Sequence, residues 1–225
     1  MAAGAVGGAP RATGGVSRPL GEILTEARAC RLCAPRLPHE PRPVVVADPR
    51  APILIIGQAP GRRVHESGIP WDDPSGDRLR DWLGVDRSTF HDPRRFSIVP
   101  MGLCYPGTGR SGDLPPRLEC APTWHEPIIS RLPRVELTLL LSAHAIRHYL
   151  AHRAEGTVAA TVARWREYLP TLLPLPHPSP RNRRWLRQHP WFEAEVVPAL
   201  RARIQELIRG RDRPPPPSSS CTLGP

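Results

Sequence analysis

In this 225-residue chain, the residues best suited to do chemistry are four cysteines, a histidine set between prolines, and a tryptophan followed by two acids. The cysteines are Cys30 and Cys33, as Cys-Arg-Leu-Cys, then Cys104 and Cys120 with fifteen residues between them. Four thiolates from distant segments can hold an iron–sulfur cluster or a zinc ion. Zinc sites more often repeat a short Cys-x-x-Cys in both halves, so this spacing tilts toward a cluster. On spacing alone, buried or incidental thiols explain the set about as well. The fifth cysteine, Cys221, lies in a Pro/Ser-rich tail and is not expected to be a ligand.

Trp71, Asp72 and Asp73 fall in GQAPGRRVHESGIPWDDPSGDRLRDWL, residues 57–83. An aromatic face beside a carboxylate suits a flat heterocycle held next to a group that orients water. The same residues also read as a solvated turn that caps a helix, since Asp and Ser are good N-caps, and on the local pattern the cap is favoured. Gly57 and Gly61 allow the backbone to turn close to a ligand. His177 lies in LPHPSPRNRRWLRQHPW, residues 175–191. On a rigid loop it can donate a hydrogen bond to developing negative charge. Arg181, Asn182, Arg183, Arg184 and Trp185 follow as a basic segment with an aromatic, suited to pressing into a DNA groove. A helix start with a solvated basic face accounts for the arginines equally well.

These residues need elements to position them. Apolar, β-branched runs predict strands at 52–57, 96–101, 136–142 and 172–175. Helical patterns fall at 76–83, 122–131, 143–152 and 157–168, with a final amphipathic helix at 191–209. Alternation of strand and helix implies an α/β fold with a parallel sheet covered on both faces. Function then belongs at the carboxyl ends of the strands, where both motif loops begin. Residues 1–18 and 211–225 are low in pattern and are expected to be disordered, leaving one folded domain over 19–210.

The net charge is +10, and all 31 basic residues are arginine. Guanidinium groups fork onto phosphates, so such a surface favours nucleic acid, although charge alone is weak support. No apolar run is long enough to span a bilayer and no secretory signal is read, so a cytoplasmic protein is expected.

Taken together, the two motifs and the cysteines resemble the uracil-DNA glycosylase superfamily. GQAPG after a strand is similar to its first motif, and HPSP after the last strand to its second. Cys-x-x-Cys, a long gap and two cysteines about fifteen apart resemble the bacterial family 4 and family 5 enzymes, which bind a [4Fe–4S] cluster. The resemblance covers about residues 22–207. It implies a three-layer α/β/α sandwich around a four-stranded parallel sheet. It also implies a monofunctional, monomeric DNA-repair glycosylase that flips out and hydrolyses uracil or another deaminated base.

By the same resemblance, Gln58, Ala59 and Trp71 would hold the base, with Trp71 stacking on it. Asp73, in Asp-Pro-Ser-Gly-Asp, resembles the family 5 acid, with Asp72 as second choice. His177 would hydrogen-bond the uracil O2. Ser179, Arg181, Asn182 and Arg183 would grip DNA, and Cys30, Cys33, Cys104 and Cys120 would hold the cluster, with zinc the alternative. The sequence departs from the pattern at three places. Ala59 stands where one family has a water-orienting Asp, Gln58 where family 4 usually has Glu, and Pro100 where several have the uracil-reading Asn. A broader base range, including hypoxanthine, is the expected consequence. The competing reading is a non-catalytic iron–sulfur protein that binds damaged bases or DNA.

Overall fold

The computed structural model describes residues 18–110 and 112–212. Residues 1–17 and 213–225, which hold most of the two ends expected to be disordered and Cys221, lie outside them. Elements in chain order are α1 (Leu20–Arg28), β1 (Ile53–Ile56), α2 (Arg62–Ser67), α3 (Pro74–Leu83), α4 (Arg87–Phe90) and β2 (Phe96–Ile98). A small hairpin follows, β3 (Thr108–Gly109) and β4 (Gly112–Asp113), then α5 (Cys120–Ile129) and β5 (Leu137–Leu140). Then come α6 (Ala143–Leu150), α7 (Val158–Ala163), β6 (Leu172–Pro174), α8 (Arg183–Gln188) and α9 (Val197–Asp212).

The main sheet has four parallel strands in the order β2-β1-β5-β6. Side chains alternate between its faces, and both faces are apolar, which is why the strands read as continuous hydrophobic runs. Ile53 and Ile55 face a core shared with α3, α7 and α9, while Leu54 and Ile56 face one shared with α1, α5 and α6. The result is the expected α/β/α sandwich. Each fully buried side chain here contributes about 1.5–3 kcal/mol. From β1 the chain passes to β2 on one side and later to β5 on the other, so the loop after β1 emerges at a switch point. Crevices form there because neighbouring loops diverge.

All four expected strands are present, shorter by one to three residues. The regular part of the second stops at Ile98, although Val99 and Met101 still donate to the carbonyls of Ile55 and Gly57. The helix expected at 157–168 ends at Ala163 and tightens into a 3-10 turn over Trp165–Glu167. The final helix begins with a π turn over Phe192–Val196 and runs on to Asp212. Sequence periodicity passed over α1, α2, α4, α8 and the hairpin. Three of those helices are six residues or fewer, less than two turns, too short to show a period.

The N-terminus of α3 imposes the tightest local demand. A methyl at Gly76 would stand 1.8 Å from the Trp71 carbonyl oxygen, a backbone atom that cannot swing aside. Gly76→Ala is therefore expected to lower stability by about 1–3 kcal/mol, read by thermal or urea denaturation. An unchanged midpoint would show that the 71–76 turn yields more easily than this contact implies.

Candidate active site

A cavity of about 330 Å³ opens at the carboxyl ends of the strands, within the size range of small-ligand sites. Its walls come from four places. The loop after β1 supplies Gln58 and Ala59, the turn before α3 supplies Trp71 and Asp73, the loop after β6 supplies His177, and the hairpin supplies Asp113.

Trp71 is held in a left-handed backbone conformation, φ 57°, which a bulky residue adopts only under constraint. The constraint is visible. Buried Arg80 donates to the Trp71 carbonyl at 3.2 Å and pairs with Asp77 at 2.5 Å. The half-buried indole lies against Gly57 and 5.7 Å from the His177 ring, so one edge of the cavity is aromatic.

Asp73 does what the sequence also allowed: it caps α3, its Oδ1 accepting the Gly76 N–H at 2.8 Å. The cap leaves the other oxygen on the cavity side, where a methyl built on Gly61 would stand 3.7 Å from Oδ2. Capping and cavity lining are thus compatible roles for one carboxylate. Asp72 is placed differently. It pairs with Arg87 at 2.7 Å and does not line the cavity, and that partner holds its carboxyl below the usual range.

His177 is locked by its own loop. The Ser179 N–H donates to Nδ1 at 3.2 Å, and the Asn182 side chain donates to the His177 carbonyl at 2.7 Å. A backbone N–H can only donate, so Nδ1 is the acceptor and the proton of the neutral ring sits on Nε2. Burial pushes the imidazole below its ordinary pKa, with Asp73 opposing, which favours that neutral form. Arg78 on α3 clamps the same loop, donating to the carbonyls of Pro178 and Ser179 at 3.3 and 3.1 Å.

Gln58 lines the cavity and spends its amide on the hairpin, donating to the Leu114 carbonyl at 3.2 Å. Ala59 and Pro100 also line the cavity, so all three departures from the motif, Gln58 included, lie in its wall. The Pro100 carbonyl is fixed by buried His125, 3.0 Å away. Ser179 and Arg181 reach the cavity, whereas Asn182 braces the loop behind it and Arg183 stands exposed outside.

The residue that sequence reading passed over is Asp113. It sits beside Gly112, whose φ of 133° suits glycine and whose bare Cα lets the Arg181 guanidinium pack against it. The only signal was the stretch between Cys104 and Cys120, rich in Gly and Pro, which has to fold back on itself.

Cys30, Cys33, Cys104 and Cys120 line a second cavity, all as free thiols. Burial raises the Cys104 thiol to about 11 and the Cys120 thiol to about 12, values that a bound cation would reverse. The Leu103 N–H donates to the Cys120 sulfur at 3.2 Å. Two further donors that line the cavity, Arg117 Nε and Trp124 Nε1, are buried without a partner. Soft donors ringed by unsatisfied N–H groups fit an anionic thiolate-bound metal group. No three His, Cys, Asp or Glu among the described residues are grouped so as to hold a metal ion as they stand.

Residues 44–201 match the family model of the uracil DNA glycosylase superfamily. The chain belongs to that superfamily. It therefore belongs among the DNA glycosylases, base-excision repair proteins that act on damaged bases in DNA. No helix among the described residues is long and apolar enough to cross a membrane.

Proposed function

We propose that this protein is a monofunctional glycosylase that extrudes uracil, and by extension other deaminated bases, from DNA and hydrolyses the N-glycosidic bond. The observation that carries this reading is the convergence of Trp71, Asp73 and a neutral, Nε2-protonated His177 on one cavity. The extruded base stacks on the indole. The C–N bond breaks with its electron pair going to the base, and the His177 Nε2–H donates to the anionic carbonyl that results. Asp73 Oδ2 orients a water toward the sugar carbon and takes its proton, giving an abasic site and a free base. The chain has no lysine, so no lysine amine is present to form a Schiff base and nick the strand. Arg181 lines the cavity, Arg183 and Arg184 follow it on the surface, and these exposed guanidinium groups would meet phosphates of the duplex. The protein is expected to act as a monomer.

With Ala59 and Pro100 in the wall, fewer polar groups are left unpaired by a non-uracil base, which supports a wider range that includes hypoxanthine. The test is incubation of labelled DNA carrying one uracil, one hypoxanthine or no lesion, with strand breakage revealed by alkali. Alkali-dependent breakage at uracil supports the reading. Intact strands at both lesions would overturn it.

The four cysteines would hold a [4Fe–4S] cluster, with zinc the alternative. The bound group would supply a structural tie between the end of α1, the loop after β2 and the start of α5. Protein purified without air is expected to carry about four iron atoms per chain. Cys120→Ser should lose that iron and melt about 5 °C lower, the shift that about 2 kcal/mol produces in a domain of this length. Stoichiometric zinc in place of iron would decide for the alternative.

A further inference from the structure

Asp113 enters the cavity from β4, an element that neither motif loop contains. Its carboxylate and that of Asp73 both stand beside Gly61. A methyl built on Gly61 would be 3.4 Å from Asp113 Oδ2 and 3.7 Å from Asp73 Oδ2. The two acids come from segments forty residues apart in the chain, and no hydrogen bond to the Asp113 carboxylate is found among the described residues. Asp113 is exposed at the mouth, yet enough of it is covered that burial lifts its pKa, with Asp73 adding in the same sense and Arg181 opposing. The side chains facing it are therefore Asp73 at the start of α3 and Arg181 in the loop after β6.

Two like charges at a cavity mouth repel in the resting protein. They attract anything cationic that forms between them. The position matters here, because on the glycosylase reading the base would lie against Trp71 and His177, leaving exposed Asp113 for the sugar. Loss of the base as an anion leaves the sugar with oxocarbenium character, a positive charge absent from the bound substrate. A group that meets charge only at that stage accelerates the step without tightening substrate binding.

We propose that Asp113 is a second catalytic carboxylate, which stabilises the cationic sugar from the hairpin side while Asp73 handles the water. This rests on the glycosylase reading above and assigns to Asp113 a charge role rather than a base-reading role. No bond to Asp113 forms or breaks. Water supplies the hydroxyl to the sugar carbon, and the base departs with the bonding pair.

The test compares two abasic DNA analogues, one with a cationic pyrrolidine in place of the sugar and one with neutral tetrahydrofuran. The wild type should bind the cationic analogue about tenfold to a hundredfold more tightly. Asp113→Asn, nearly the same shape without the charge, should lose most of that preference and keep its affinity for the neutral analogue. In the same variant single-turnover uracil excision should fall about tenfold to a hundredfold, with affinity for uncleaved lesion DNA unchanged. Thermal melting checks that the variant is folded.

If Asp113→Asn keeps both the cation preference and the excision rate, the inference is overturned while the glycosylase reading stands. A change only in the ratio of uracil to hypoxanthine excision would also overturn it, by making Asp113 a base reader. Failure of the wild type to excise either base would overturn the glycosylase reading and this inference with it.

Discussion

Asp73→Asn should lower single-turnover excision of uracil by about 100-fold to 10,000-fold, the range spanned by positioned acid–base groups. Its affinity for DNA carrying a non-hydrolysable deoxyuridine should be unchanged. The substitution is clean for a structural reason. Asp73 caps α3 through Oδ1, and Asn caps a helix N-terminus about as well as Asp. The fold should therefore survive while the oxygen beside Gly61 loses its charge and its basicity. A variant that still turned over at the wild-type rate would remove Asp73 from the mechanism. A wild type that binds lesion DNA but never cleaves it would instead be a damaged-base sensor, and the substitution would leave it unaltered.

His177→Ala should cost about 100-fold to 1,000-fold in the excision rate constant, the loss usual for one donor to a developing anion. The effect should fall on turnover rather than on the substrate concentration at half-saturation, because the donor meets full charge only as the base departs. The ring also packs against Trp71, so some stability will be lost as well. Melting curves separate the two effects. A rate unaffected by the change would mean that backbone N–H groups alone carry the leaving base.

The sheet was legible because its physics is local. Runs such as ILII and LTLL, buried on both faces, have no other good conformation, and their strands lie where the sequence placed them. His177 and Trp71 were legible because proline and glycine around them announced rigid loops. Asp113 was not, because a two-residue strand leaves no periodicity and its approach to Asp73 is a long-range contact. Asp72 shows the reverse problem. Beside Asp73 in sequence it looks equivalent, but the backbone at Asp73 is extended (φ −154°, ψ 174°), so the two neighbouring side chains point apart, one to the cavity and the other to Arg87. Which of two adjacent acids serves a site is decided by local backbone conformation, and sequence spacing carries no record of it.

The hairpin that carries Asp113 leaves the body of the protein just after Cys104 and rejoins it at Cys120. Whatever joins those two thiols closes that excursion into a loop of fixed circumference and removes freedom from its tip. With the proposed cluster bound, the cysteines and the cavity would be parts of one mechanical assembly, with an inorganic clasp at the base and the proposed catalytic acid at the end. On that proposal, a cell short of iron would make copies whose sheet is intact but whose pocket mouth is slack. Repair would fade before the protein disappeared, so its abundance would overstate its capacity.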